Sequence, residues 1–234
     1  MPLSSSLMLS IRAPHTTGNR LRFLKLPLIL LDGEAYAAAI LQFYLLTCVL
    51  ESSLAACSSP LLLPLKALGL KAAPLYAADL AQLLGPRWEA RVPSLTVPAT
   101  KAYAAELQAA ARKGDGAALL AAAFILYGAL VVGGGKATQA KVRRVFPGCE
   151  HRLFDVMGED VKGARRRFRE CFDGVGEKHP EKAGEIEGAA RAFMGRNNEV
   201  IAGVSVVGPR LRRWGTWAAL AGGAYAAVRW KGRK

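Results

Sequence analysis

The chain has 234 residues, of which 52% are apolar and 21% charged, with 32 Lys+Arg against 18 Asp+Glu for a formal net charge of +14. That much apolar residue excludes a disordered chain, and the 24 Gly and 12 Pro, unperiodic in spacing, exclude collagen-like and low-complexity classes. The charge is lopsided: residues 1–100 sum to +3 and residues 101–234 to +11, and the last 25 residues hold seven basic and no acidic side chains. Half of the excess therefore belongs to a tail, which argues against nucleic acid as a partner of the whole domain.

Residues 1–27 carry no acidic side chain and are rich in Ser and Arg, in the manner of an organellar transit peptide; equally they form a short leader running into the first helix. Residues 33–54 lack Pro and read as a mostly buried helix, and residues 74–85 open on Pro74 and close on Gly85, the usual asymmetry of a short helix. A loop with Pro86, Pro93 and Pro98 leads into an amphipathic helix over 99–113, broken at Gly114 and Gly116. The next helix spans 117–132 and ends in Gly133, Gly134 and Gly135, followed by a basic stretch. Residues 155–173 and 181–203 are two further helices. Residues 214–228 are uncharged, rich in aromatic residues and flanked by Arg and Lys, which fits a membrane-associated tail although fifteen residues fall short of a bilayer span.

No segment alternates with the Val/Ile/Thr richness of a strand, so the fold class is all-α, with about eight or nine helices. Residues 116–135 are twenty consecutive uncharged residues and would also suit a transmembrane helix, but a central helix of a soluble bundle is uncharged for the same reason. The four cysteines form no CxxC pair, and Cys149 with His151 has no second ligand pair at a zinc-site spacing, so both read as ordinary side chains.

Two features carry chemistry. His15 is the only histidine before residue 150, and three consecutive glycines interrupt a helical region far along the chain. Each interior Gly costs a helix about 1 kcal/mol relative to Ala, so the run marks a helix end or a kink where something flat approaches the backbone. A neutral imidazole on one side and a side-chain-free helix surface on the other would make a slot for heme. The order of His15, the helix over 33–54, the run from Gly69 to Leu80 and the glycine-bearing stretch from Leu126 to Gly134 resembles the heme oxygenase family over about residues 12–205. The resemblance implies an all-α bundle with a heme slot between a proximal and a glycine-kinked distal helix. It places His15 at the axial iron ligand, Gly133 and Gly134 at the distal glycine pair that admits heme and O2, and Lys162 and Arg166 at the heme propionates. Arg12, one turn before His15, is a further propionate partner.

The sequence also departs from the family. Where the distal helix of the family carries an Asp that organises a proton-delivering water chain, three residues before the glycine pair, this chain has Leu130, and no carboxylate lies between Asp115 and Glu150. Pro14 suggests a helix that starts at the ligand, leaving His15 in its first turn. The resemblance implies O2- and reductant-dependent conversion of heme to biliverdin, CO and Fe2+, with heme as both substrate and prosthetic group. Electrons would come from a reductase or ferredoxin, since the chain has no GxGxxG fingerprint of its own. The alternatives are a non-catalytic heme-binding protein or sensor, and a helical membrane or scaffold protein without heme. The expected organisation is a leader over 1–11, the helical domain over 12–205 and a basic, apolar tail over 206–234. With only about a dozen residues before the resemblance begins, the expected location is the cytosolic face of the endoplasmic reticulum membrane, with plastid or mitochondrion as alternatives.

Overall fold

The computed structural model describes residues 1–131 and 135–206, apart from the side chains of 135–137. Among these residues eleven α-helices follow one another, more than the eight or nine expected because short helices such as Leu63–Ala67 and Val92–Leu95 fill the loops, and no strand occurs, as the sequence pattern requires. They are α1 (Leu3–Ser10), α2 (Arg12–Ile29), α3 (Gly33–Ala56), α4 (Leu63–Ala67), α5 (Ala73–Leu84), α6 (Val92–Leu95), α7 (Pro98–Arg112), α8 (Gly116–Val131), α9 (Gly135–Val145), α10 (Val161–Lys178) and α11 (Ala183–Gly203). Short 3-10 turns at Pro60–Leu62, Trp88–Arg91, Arg152–Asp155 and Pro180–Lys182 connect several of them.

Helix α8 is the hub. It packs on α11, α7, α3 and α10, and only Ala118, Gly128 and Ala129 along it escape full burial. This explains its lack of charge: an unpaired ion there would have to be desolvated on every side. Each of Leu119 and Leu120, fully buried, contributes roughly 1.5–3 kcal/mol relative to exposure. Helix α3 is long and apolar enough to cross a membrane, yet half of its most apolar window is buried inside the bundle. Near the C-terminal half of α8, Phe124 meets Phe172 edge-on at 5.1 Å and stacks at 6.3 Å on Phe168, which seats α10.

A polar hub inside α3 fixes α7. Gln42 is fully buried; its amide nitrogen donates to the Ala38 carbonyl at 2.7 Å and the Leu95 carbonyl at 3.0 Å, and its oxygen accepts from Val97 N–H at 3.0 Å and the Thr100 hydroxyl at 2.8 Å. The N-terminus of α5 is held in a similar way by Glu51 of α3, which accepts from Ala72 N–H at 2.8 Å and Ala73 N–H at 3.1 Å, where the helix dipole favours a carboxylate.

The boundaries of several elements also differ from the sequence expectations. Residues 1–11, expected as a leader, include α1, which buries Leu3 and Leu7 against α10 and α11 and ties Ser4 N–H to the Asp173 carboxylate at 2.8 Å. The basic stretch after the glycines is helical, as α9, with Val142 buried. Residues 155–160 are not α-helical, because α10 begins only after Asp160, whose side chain caps Gly163 N–H at 2.8 Å. Residues 207–234, and with them the expected membrane-associated tail, lie outside the described residues.

Two buried polar atoms, the Tyr103 hydroxyl and Asn198 Oδ1, have no hydrogen-bond partner among the described residues. Tyr103 on α7 is fully buried and stacks on Phe193 at 5.2 Å. Tyr103→Phe removes that unmet donor and keeps the ring, so it is expected to stabilise the protein by about 1 kcal/mol, or about 3 °C in Tm for a chain of this size. A thermal melt checks it; a fall in Tm would mean that the hydroxyl is in fact paired.

Candidate functional site

The proximal side of the site is α2. Ile11 makes α1 and α2 nearly continuous, since Ile11 N–H donates to the Leu7 carbonyl at 3.1 Å and His15 N–H to the Ile11 carbonyl at 2.8 Å. The helix therefore begins at Arg12 rather than at Pro14, and Pro14 stands in the first turn, where its missing N–H costs nothing. His15 still lies near the helix start, half-buried.

Three contacts set α2 on α11. The Asn198 amide nitrogen donates to the Pro14 carbonyl at 2.7 Å. Gly18, buried in the same contact, has no side chain because there is no room for one: a Cβ there would lie 2.3 Å from Asn198 Oδ1 and 3.5 Å from the Met194 methyl. Further along, the Lys25 ammonium donates to the carbonyls of Ile201 (3.0 Å), Val204 (2.7 Å) and Ala202, capping the C-terminus of α11 with a positive charge where its dipole is negative.

With α2 held in this way, the His15 ring stands one turn from Asn19, whose amide nitrogen is 3.3 Å from His15 Nδ1. Arg22 in turn donates to Asn19 Oδ1 at 2.5 Å. Burial, and secondarily the charge of Arg22, hold the imidazole pKa below its ordinary value of 6.5, so the ring is neutral at physiological pH, the form that binds a metal. Phe23, two turns beyond His15 on the same side of the helix, is 81% exposed, a large apolar side chain with nothing over it.

The distal side is the end of α8. Ala129 is the one exposed residue of that helix, with Gly128 half-buried beside it, while Leu130, which the resemblance sets against the family Asp, turns into the core with 9% exposure. Gly133 and Gly134 lie outside the described residues. Arg165 on α10 donates to the Val131 carbonyl at 2.8 Å and so secures the last described turn of α8.

Of the expected propionate partners, Lys162 and Arg166 stand exposed on α10, Arg166 paired with Glu170 at 3.6 Å, and Arg12 is exposed at the start of α2. Lys162 and Arg166 flank Arg165, which bonds the end of α8, so this part of α10 lies beside that end, whereas Arg12 opens α2. The sequence reading missed Asn19, Arg22, Asn198 and Ala129. For Asn19 and Arg22 the i, i+4 and i, i+3 spacings from His15 and Asn19 were available as a signal; for Asn198, 184 residues from Pro14, there was none.

Cys149 and His151 are ordinary side chains. His151 is fully buried in a left-handed backbone conformation, with Nε2 3.1 Å from the Phe146 carbonyl and Nδ1 3.3 Å from the Tyr36 hydroxyl. The Cys149 thiol is pushed up to about 11 by burial, which makes it unreactive. Among the described residues no three His, Cys, Asp or Glu side chains converge as metal ligands. A cleft of about 390 Å3, lined by Leu30, Leu31, Gln82, Leu83, Phe146 and Cys149, opens beside the C-terminal ends of α2, α5 and α9, away from His15.

His15 and the exposed Phe23 thus stand on one face of α2, and the small residues Gly128 and Ala129 stand at the end of α8. The chain belongs to the heme oxygenase family, whose model matches residues 1–202. It is similar in structure to heme oxygenase 2 from Chlamydomonas reinhardtii, solved without heme (TM-score 0.78, 28% identity, 88% of this chain and 99% of that one). It shares its fold with heme oxygenase-1 from the cyanobacterium Synechocystis in complex with heme (TM-score 0.74, 17% identity, 97% and 100% covered). The same holds for heme oxygenase-2 from Synechocystis in complex with heme and NO (TM-score 0.68, 20% identity, 87% and 85% covered). No curated protein matches the chain in sequence.

Proposed function

We propose that the protein binds heme against α2 with His15 as axial ligand, and that with O2 and an external electron donor, a reductase or ferredoxin, it converts heme to biliverdin, CO and Fe2+ slowly. The observation that carries the binding step is the neutral, half-buried His15 on a helix clamped to α11, with Phe23 uncovered on the same side. When bound, heme would supply the iron and would itself be the ring that is opened. Arg12, Lys162 and Arg166 would orient its propionates by charge-assisted hydrogen bonds. Gly133 and Gly134 would let the distal helix approach closely.

The slow rate follows from the distal side. With Leu130 buried and Ala129 at the open position, neither of these two described side chains can hold a proton-delivering water. That observation equally favours a second reading, a heme-binding protein that does not turn heme over. A hemin titration of the whole chain separates these readings from a protein without heme. A Soret band lost in His15→Ala supports the axial ligand, and a band unchanged by the substitution overturns it. Biliverdin formation with reductant and O2 then divides the enzyme from the binding protein. We propose further that residues 210–234 tether the protein to a membrane, on the cytosolic face of the endoplasmic reticulum; fractionation of the chain cut after residue 206 tests that.

A further inference from the structure

The side chains behind His15 carry an inference that rests on the reading of His15 as the iron ligand. The Arg22 guanidinium has donors only, so the Asn19 atom it touches at 2.5 Å must be the amide oxygen. The Asn19 atom 3.3 Å from His15 Nδ1 is then the amide nitrogen, which also only donates. His15 Nδ1 must accept, and the single ring proton of the neutral imidazole must sit on Nε2. We propose that Asn19 and Arg22 are positioning residues that hold His15 in the Nε2–H tautomer and so oppose ligation of iron through Nε2.

Nε2 is the ring nitrogen farther from the main chain, the one able to reach past the helix surface to a ligand. To bind iron it must present a lone pair, so its proton passes to solvent while Nδ1 takes one up, with no net change. Nδ1–H then faces the two N–H groups of Asn19, an arrangement of donor against donor. Loading therefore requires Asn19 to turn its oxygen towards the ring, and that turn breaks its bond to Arg22. A carboxylate at position 19 would invert the preference, because an acceptor beside Nδ1 favours the proton there and makes the ring a stronger electron donor.

Heme-free full-length protein with 15N-labelled histidine reports the tautomer directly by long-range 1H–15N correlation at His15. The parent chain is expected in the Nε2–H form, Asn19→Asp in the Nδ1–H form, and Arg22→Met as a mixture. With hemin, Asn19→Asp should bind about tenfold tighter and raise the ferrous iron–histidine stretching frequency. An Nδ1–H ring in the parent, or an unchanged ring in Asn19→Asp, overturns the proposal. The heme reading fails separately, by a Soret band indifferent to His15, and leaves the tautomer result standing.

Discussion

Gln42→Leu is expected to cost about 3–5 kcal/mol of stability, because it leaves the Leu95 carbonyl, Val97 N–H and the Thr100 hydroxyl buried without partners, each worth about 1–3 kcal/mol. Leucine fills much the same volume, so the loss would report the hydrogen bonds and not a cavity. Urea unfolding followed by circular dichroism measures it, with a drop in Tm of about 10 °C expected alongside. A loss under about 1 kcal/mol would show that the N-terminus of α7 finds other partners once Gln42 is gone. Glu51 is the parallel case at α5, where a single carboxylate secures two N–H groups.

Gly18→Val is the second large effect expected, and it bears on the site. Removing an interior glycine should favour the helix by about 0.5–1 kcal/mol. The valine methyl groups would instead drive the Asn198 amide off the Pro14 carbonyl and push α2 away from α11. A net loss of about 2 kcal/mol is expected, with faster hydrogen exchange confined to α2. Gly195→Ala on α11 is the control: its Cβ would meet nothing within 4 Å, so stability should hold or rise. If Gly18→Val were as stable as the parent, the close approach of the two helices would not be what holds α2.

The parts of this molecule that could be read from sequence are those decided within one helix. The expected 33–54 and 74–85 became Gly33–Ala56 and Ala73–Leu84, because Asp32 caps the first through Glu34 N–H and Gly85, at positive φ, ends the second. His15 drew attention through the family resemblance alone; the structure shows a half-buried ring on a helix clamped to α11, which no local pattern foretold. What stayed hidden depends on distant segments. Residues 3–10 looked like a leader because their burial is conferred by α10 and α11, more than 160 residues later. Helix α9 looked like a charged connector because few of its side chains are apolar, and the partner of Val142 lies elsewhere in the chain. That Leu130 is apolar is plain in the sequence, but that it turns inward while Ala129 faces out depends on how α8 packs on α11.

The Lys25 clasp on the carbonyls of Ile201, Ala202 and Val204 also has a consequence in time. At a synthesis rate of about 5–20 residues per second, α2 leaves the ribosome about 10–40 s before the helix that seats it. Throughout that interval His15 rides on a basic, partly apolar segment without its partner, and residues 30–182 lie between the two helices. Helices joined at such sequence separation dock late, so α2 acquires its final pose among the last events of folding. Whatever depends on where His15 stands therefore waits until synthesis of the bundle is all but complete.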